Sequence, residues 1–350
     1  PVMGAAAFLM AEATAIPYGT ICLAALVPAL MYYICIFSTV DVESLKANLT
    51  GMDLKDIPKL LPVLKKSAKL LLPIAVLILS LCVFGFSTSR SALYSMAVLI
   101  ICCCFDKDDR FSLKKLVNAL RSGAIGSTTV ITATAICGII ISMLTMTGLG
   151  VKFSSLLISL GSSSLLISLL LAMLVCIVLG MGVPTTANYC IMASTCAPIL
   201  IQLGFPVVAA HFFVFYFGIV ADITPPVALA AYAGSAIAKS DPMKTGINAT
   251  KLAIAAFIVP YIFAMNPSML LMDQGVLAAI QVIITSCLGI FGIAAALEGY
   301  VVTRAPWWQR ILLAAGGLCL IDPRLMTDLV GIAAIVIVVV LQIVMRKHGK

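Results

Sequence analysis

The chain has 350 residues, of which 62% are hydrophobic and only 10% are charged, and its mean hydropathy is +1.17. Soluble domains carry about 25% charged residues, so this composition excludes a water-soluble fold and predicts an all-α polytopic membrane protein. The net charge of +8 comes from basic clusters between apolar stretches, which is typical of cytoplasmic membrane loops and not of a nucleic-acid interface.

Apolar runs of about 20 residues, the length that crosses a bilayer as a helix, recur along the chain. They predict crossings at 19–38, 70–87, 90–105, 124–147, 207–238, 245–265, 276–298 and 329–345. A further run at 309–321 is short for a crossing. The alternating leucines and lysines of 60–72 fit either an amphipathic helix on the membrane surface or a charged loop.

Segment 164–203 has a different pattern, because two apolar arms, 164–181 and 188–203, flank a break rich in Gly, Pro, Thr and Asn. The arms carry no charge, and each is just long enough to enter the membrane and turn back. This pattern predicts a re-entrant helical hairpin. Segment 207–238 is interrupted at Thr224-Pro225-Pro226, which predicts a broken helix.

The basic clusters orient these elements. Two polar segments, 41–69 and 106–122, are rich in Lys and Arg and lie two crossings apart, so both are expected on the cytoplasmic side. The same alternation places 266–275 outside, and that segment contains no Lys or Arg. The basic residues that it places inside are Lys239, Lys244, Arg304 and Arg310.

A weak internal repeat links the first residues to the second half of the chain. The paired prolines are Pro1 with Pro226, Pro17 with Pro242 and Pro28 with Pro260. Since the charge pattern orients 1–15 outward and 226–238 inward, the two copies are predicted to be inverted, as in many secondary transporters. The chain opens at Pro1 within an apolar stretch, so we expect further residues before it.

The two breaks contain the candidate site residues. A helix that ends offers unpaired carbonyls to a small hard cation, and a helix that starts offers unpaired amides to a carboxylate. The cation candidates are Gly180, Gly182, Thr186, Asp222 and Thr224. The candidates on the substrate side are Pro184, Thr185, Asn188, Pro225 and Pro226. Helix kinks and helix capping are the alternative roles for these residues.

Asp222 gives the sharpest single signal, because an ionisable residue inside a membrane segment is a functional candidate. Capping of the next helix, or a position at the membrane surface, would also explain it. Glu12 is similarly ambiguous and lies near the outer end of its segment.

The sequence does not predict an enzyme or a cofactor-binding protein. The sequence has no paired His/Asp/Glu set, no Gly-x-Ser-x-Gly and no HExxH, and Gly180-x-Gly182 lacks the third glycine of a nucleotide fingerprint. The twelve cysteines include no CxxC pair. A non-catalytic assembly subunit remains an alternative to a transporter.

At these motifs the chain resembles the large membrane subunit of tripartite ATP-independent periplasmic (TRAP) transporters. It is more closely similar to the carboxy-terminal half of fused permeases that work with TAXI-type binding proteins. The strings that carry the resemblance are 1–12, 180–188, 221–231 and 240–246. It implies an inverted-repeat elevator in a bacterial or archaeal inner membrane, which imports an organic acid with Na⁺ as the coupling ion and no cofactor.

The resemblance also implies partners and roles. The partners are a periplasmic TAXI-type binding protein, a missing amino-terminal half, a small membrane subunit and the lipid bilayer. The tip of the outer hairpin would be 180–188, facing the unwound 222–227. Residues 1–6 would end the matching unwound segment, which adds Pro1 and Gly4 to the substrate candidates. A divalent-anion/sodium symporter without a binding protein is the alternative.

Four regions are expected from these assignments. Residues 1–40 would end the first transport repeat, and 41–122 would hold cytoplasmic loops and connecting crossings. Residues 123–265 would form the second repeat, and 266–350 the carboxy-terminal helices.

Overall fold

The computed structural model describes residues 6–46, 49, 59–104, 112–148, 152, 165–183, 185–272, 276–321 and 325–348. Their regular structure is helical apart from one isolated β-bridge, which confirms the predicted all-α fold. Within these described residues, four stretches are long and apolar enough to cross a membrane as helices: Tyr18–Lys46, Pro242–Met265, Ala279–Glu298 and Met326–Val344.

One compact unit comprises residues 3–22 and 50–136. It contains the whole of α1 (Ala6–Thr14), α3 (Leu60–Cys82) and α4 (Thr88–Cys104). It also contains the first part of α2 (Tyr18–Lys46) and the first part of α5 (Leu113–Met146). Helices α3 and α4 pack together as a helical hairpin, in which the Ser95 hydroxyl donates to the Pro73 carbonyl at 2.8 Å.

Helix α3 corrects two expectations. Residues 60–72 are helical and continue into the predicted crossing, so the charged-loop alternative is wrong. The helix also ends at Cys82 and not at 87. It ends there because the amides of Val83 and Phe84 both bond back to the Leu79 carbonyl, and Gly85 then turns the chain with a φ of 62°.

The second compact unit comprises residues 23–49 and 137–350. Its first part contains α6 (Leu165–Gly180), α7 (Thr185–Thr195), α8 (Ala197–Gln202), α9 (Val207–Val220) and α10 (Leu229–Ala238). Helix α9 lies at the centre of this part and packs against α6 and α7. It is apolar on every side, as a fully enclosed helix should be, and the rings of Phe212, Phe213 and Phe217 are completely buried.

Two predicted single helices are divided in this unit. The second hairpin arm bends at Cys196 between α7 and α8, because Pro198 at the start of α8 has no amide to continue the bonding pattern. The predicted crossing 245–265 consists of α11 (Pro242–Leu252) and α12 (Ile254–Met265), with a turn at Ala253.

The last three helices pack through glycines. They are α13 (Val276–Glu298), α14 (Trp307–Cys319) and α15 (Leu325–His348). A Cβ on Gly317 would lie 2.6 Å from the Gly289 carbonyl oxygen, and one on Gly331 would lie 2.6 Å from that of Gly316. Small residues let helix backbones approach in this way inside a membrane.

An ion pair agrees with the predicted topology. The Lys46 amine at the end of α2 lies 2.5 Å from a carboxylate oxygen of Glu298 at the end of α13, and 2.9 Å from one of Glu43. The carboxyl ends of α2 and α13 therefore lie side by side, which is what the charge pattern predicts for two inward-running helices.

The internal repeat has a counterpart in local structure. The short helices α1 and α10 are each followed by a residue in the left-handed conformation, Ala15 with φ 56° and Lys239 with φ 53°. Pro17 and Pro242 then precede or begin the next helix. Two copies of one repeat would share such a local pattern, and the inverted repeat stays a prediction.

Candidate functional site

The predicted hairpin break is present. Helix α6 ends at Gly180 and α7 begins at Thr185, with a turn at 181–183 between them. Gly182 adopts a φ of +73°, which residues with a Cβ rarely adopt, so glycine serves the turn here. Pro184 lies outside the described residues.

The second predicted break is present as well. Helix α9 tightens into a 3₁₀ turn at Ala221–Ile223, and regular helix resumes only at Leu229. The Thr224 hydroxyl donates to the Val220 carbonyl at 2.7 Å, so it closes the end of α9. Residues 224–228 therefore form a short non-helical stretch between two helices that end and begin beside it.

Two later helical residues hold this stretch. The Tyr232 hydroxyl donates to the Pro226 carbonyl at 2.8 Å. The Thr250 hydroxyl lies 3.0 Å from the Ile223 carbonyl oxygen and 2.9 Å from the Gly246 carbonyl oxygen of its own helix, so it shares its proton between the two. A Cβ on Gly246 would lie 3.1 Å from Pro225 Cγ, so α11 packs closely on the break. Sequence reasoning missed these supports, because only the fold brings them to the break.

The hairpin tip touches the end of α9 directly. A Cβ on Gly180 would lie 2.8 Å from the Gly218 carbonyl oxygen and 3.2 Å from the Ala221 Cβ. A Cβ on Gly218 would lie 2.8 Å from Asn188 Oδ1. We refer to Gly180, Asn188, Gly218 and Ala221 as the hairpin junction. It has no room for a side chain at either glycine.

Asn188 is the polar residue of the hairpin junction. Its side chain is only 1% exposed, and its Nδ2 donates to the Gly218 carbonyl at 2.7 Å. Its Oδ1 has no hydrogen-bond partner and is buried. A buried acceptor without a donor costs about 1–3 kcal/mol, so this oxygen is available to a ligand that would offset that cost.

Asp222 lies at the carboxyl end of α9, where the helix dipole is unfavourable for an anion. The side chain is half-buried, and it makes no hydrogen bond or ion pair with a described residue. A nearby cation would remove this unfavourable interaction.

The other candidates are less enclosed. Thr186 is partly buried, Thr185 is exposed, and Pro225 and Pro226 lie in the break itself. Pro1 and Gly4 are outside the described residues. Gly218 was not predicted as a site residue, although a glycine directly after the aromatic-rich run 212–217 and four residues before Asp222 is a recognisable signal.

The groups at this site that could bind a cation are oxygen atoms. No cluster of three or more His, Cys, Asp or Glu side chains that could hold a metal ion occurs in the part of the chain that the structure describes. A cation here would therefore be held mainly by carbonyl, amide and hydroxyl oxygens, with Asp222 as the available carboxylate. Oxygen ligands of this kind suit hard cations.

Comparison with known proteins gives one family. The family model described as "Tripartite ATP-independent periplasmic transporter, DctM component" matches residues 1–276. This span includes both helix breaks and the hairpin junction, and it ends where α13 begins. No curated protein and no solved structure matches the chain.

Proposed function

The chain belongs to the family of DctM components of tripartite ATP-independent periplasmic transporters, the large permease components, and we propose that it carries an organic acid inward by coupling to sodium. Components of this family work with a periplasmic binding protein and a small membrane subunit. We propose that the binding protein of this permease is of the TAXI type and that the location is the inner membrane of a bacterium or archaeon.

The observation that supports this proposal is the hairpin junction. The end of α6 at Gly180 packs on the backbone of α9 at Gly218 and on Ala221, where the second break begins, so the ends of helices from two elements are brought together. Transporters commonly bind ions and anions at such interrupted helices. The arrangement supports a joint site for a cation and a carboxylate, and with it the inverted-repeat elevator fold.

The cation side of the proposal is the oxygen-rich end of α9 and of α6. The carbonyls at 180–183 and 221–224, the free Oδ1 of Asn188 and the carboxylate of Asp222 are the groups that we assign to Na⁺. Gly180, Gly182, Thr186 and Thr224 complete that assignment. Each supplies an oxygen ligand or the backbone freedom to orient one.

The substrate side is the beginning of α7 and of α10. Amides at a helix start attract a carboxylate, and the exposed Thr185 lies at the start of α7. We assign Pro184, Thr185, Pro225 and Pro226 to this side, with Pro1 and Gly4 from the first repeat. Asn188, which the sequence assigned to this side, is moved to the cation side, because its Nδ2 already donates to the Gly218 carbonyl and only the Oδ1 acceptor is free. The substrate class is therefore an organic acid.

Uptake by the assembled transporter in proteoliposomes tests the proposal. With loaded binding protein outside and an inward sodium gradient, the labelled organic acid should accumulate. Replacing sodium by choline should abolish accumulation, since no ion then drives it. Equal uptake in choline would refute sodium coupling. Equal uptake without any binding protein would instead support the divalent-anion/sodium symporter alternative.

A further inference from the structure

The turn between α13 and α14 carries all the tryptophan of the chain. The sequence contains two tryptophans, Trp307 and Trp308, and both lie at the start of α14. Their side chains are 74% and 44% exposed. Tryptophan is enriched where a membrane meets water, because its ring is apolar and its N–H seeks a polar partner. We define residues 299–308 as the tryptophan turn.

The tryptophan turn is held firmly in shape. The Ala305 amide donates to the Gly299 carbonyl at 2.8 Å, and Tyr300 forms a β-bridge with Arg304. From α15, the Gln342 Oε1 accepts from the amides of Val302 and Thr303, each at 3.0 Å. The turn is therefore a fixed surface, with its amides bonded to a side chain that is only 1% exposed.

Arg310 holds the carboxyl end of α13 beside this turn. The Arg310 guanidinium donates from Nε to the Ala296 carbonyl at 2.7 Å and from Nη2 to the Leu297 carbonyl at 3.0 Å. A Cβ on Gly299 would lie 3.3 Å from Arg310 Cζ, so the glycine lets the guanidinium lie against the turn. The positive charge stays at the surface because Arg310 is exposed.

Arg304 is the uncompensated charge of this surface. It is exposed, and its side chain makes no ion pair with a carboxylate in the described residues. The nearby end of α2 does not supply a further free cation, because Lys46 is paired with Glu43 and Glu298. Two exposed indole rings, one free guanidinium and one bound guanidinium thus share one short turn.

We propose that the tryptophan turn binds the headgroup of an anionic phospholipid in the cytoplasmic leaflet, the side on which the basic clusters are predicted to lie. Arg304 would contact the phosphate and the charged headgroup, while Trp307 and Trp308 lie among the glycerol and upper acyl groups. Charge complementarity carries this choice of occupant, because a single basic side chain near an anionic membrane surface contributes about 1 kcal/mol. The turn lies beyond residues 1–276, the span that the family model matches.

Fluorescence quenching by brominated lipids tests this assignment on the assembled transporter. Bilayers contain equal amounts of phosphatidylglycerol and phosphatidylcholine, and the bromines are placed on one or the other lipid. Emission from a Trp307→Phe/Trp308→Phe variant is subtracted, so that only these two rings report. Brominated phosphatidylglycerol should show an association with the rings about fivefold stronger than brominated phosphatidylcholine, the factor that corresponds to ~1 kcal/mol.

Charge variants make the test specific. Arg304→Gln should remove most of the preference, whereas Arg304→Lys should keep it, and the Arg310 charge stays at the surface in both variants. Lys239→Gln is the matched control, since Lys239 is exposed and predicted on the same side, and it should leave the preference unchanged. Equal quenching by both lipids in the parent protein, or an undiminished preference in Arg304→Gln, would overturn the proposal. A preference abolished by millimolar inorganic phosphate would overturn it too, since a small anion would then be the ligand.

Discussion

The hairpin junction depends on the absence of two side chains. Gly180 and Gly218 allow the turn of one element to lie on the backbone of another, and the Asn188 amide fits between them with its Nδ2 on the Gly218 carbonyl. Glycine is otherwise a poor choice within helix α9, because it costs about 1 kcal/mol relative to alanine. The close approach of the hairpin tip to α9 explains why glycine occupies position 218.

Replacing Gly218 by alanine tests this explanation. The added Cβ would meet Asn188 Oδ1 at 2.8 Å, so the hairpin tip must move, and we expect a loss of about 1–3 kcal/mol in stability. Gly234→Ala in α10 is the matched control, because its Cβ would meet nothing within 4 Å and should stabilise the helix slightly. Thermal unfolding in detergent and sodium-driven uptake measure both variants. Equal stability of the two variants would contradict close packing at Gly218.

Asp222 gives a second prediction at the residue scale. If its carboxylate helps to hold sodium, Asp222→Asn should raise the sodium concentration that gives half-maximal uptake while folding is preserved. Thr186→Val should act in the same direction, or should cost about 1 kcal/mol of stability if the hydroxyl only caps α7. The measurement is uptake against sodium concentration, beside thermal unfolding. An unchanged sodium dependence in both variants would assign the two residues to structure.

At the scale of elements, two side-chain hydrogen bonds hold the non-helical stretch between α9 and α10 in place. The Ile223 carbonyl has lost its helical partner, and the Thr250 hydroxyl of α11 satisfies it. The Pro226 carbonyl is satisfied by the Tyr232 hydroxyl. Irregular backbone at membrane depth needs such partners, because water does not reach it from the lipid.

Thr250→Val should therefore loosen the break. Valine has the shape of threonine but cannot donate to the Ile223 carbonyl, and the lost bond should cost about 1 kcal/mol. We expect amide hydrogen exchange at 224–230 to become about fivefold faster. Thr128→Val is the control, because the Thr128 hydroxyl bonds only carbonyls of its own helix α5. Unchanged exchange in Thr250→Val would show that this bond does not support the break.

The sequence predicted some of these elements better than others, for physical reasons. Both breaks follow from local chemistry, because Gly182 and Thr224-Pro225-Pro226 cannot continue a helix. The end of α3 was misplaced, since an apolar run continues through Val83 and Phe84 after the helix has stopped. The supports from Tyr232 and Thr250 are tertiary contacts, which no local pattern records.

At the scale of the whole molecule, the charge pattern predicts a membrane orientation, and one packing contact fits its placement of two helix ends on the same side. The pairing of Lys46 with Glu298 joins the ends of two helices that the basic clusters predict on one side. The tryptophan turn follows directly after Glu298 and carries Arg304. The segment before α13, at 266–275, contains no basic residue and is predicted on the other side.

Labelling of introduced cysteines with a membrane-impermeant maleimide checks this orientation. Cysteine at Leu49 or Arg304 should react only when the cytoplasmic face is accessible, because Leu49 follows the end of α2 and Arg304 follows the end of α13. Cysteine at Leu271, an exposed residue between α12 and α13, should react only from the outside. The parent protein, with its twelve native cysteines, gives the background to subtract. Reaction of Leu49→Cys and Arg304→Cys from opposite faces would contradict the contact between Lys46 and Glu298. Reaction of both from the outside would instead contradict the orientation predicted from the basic clusters.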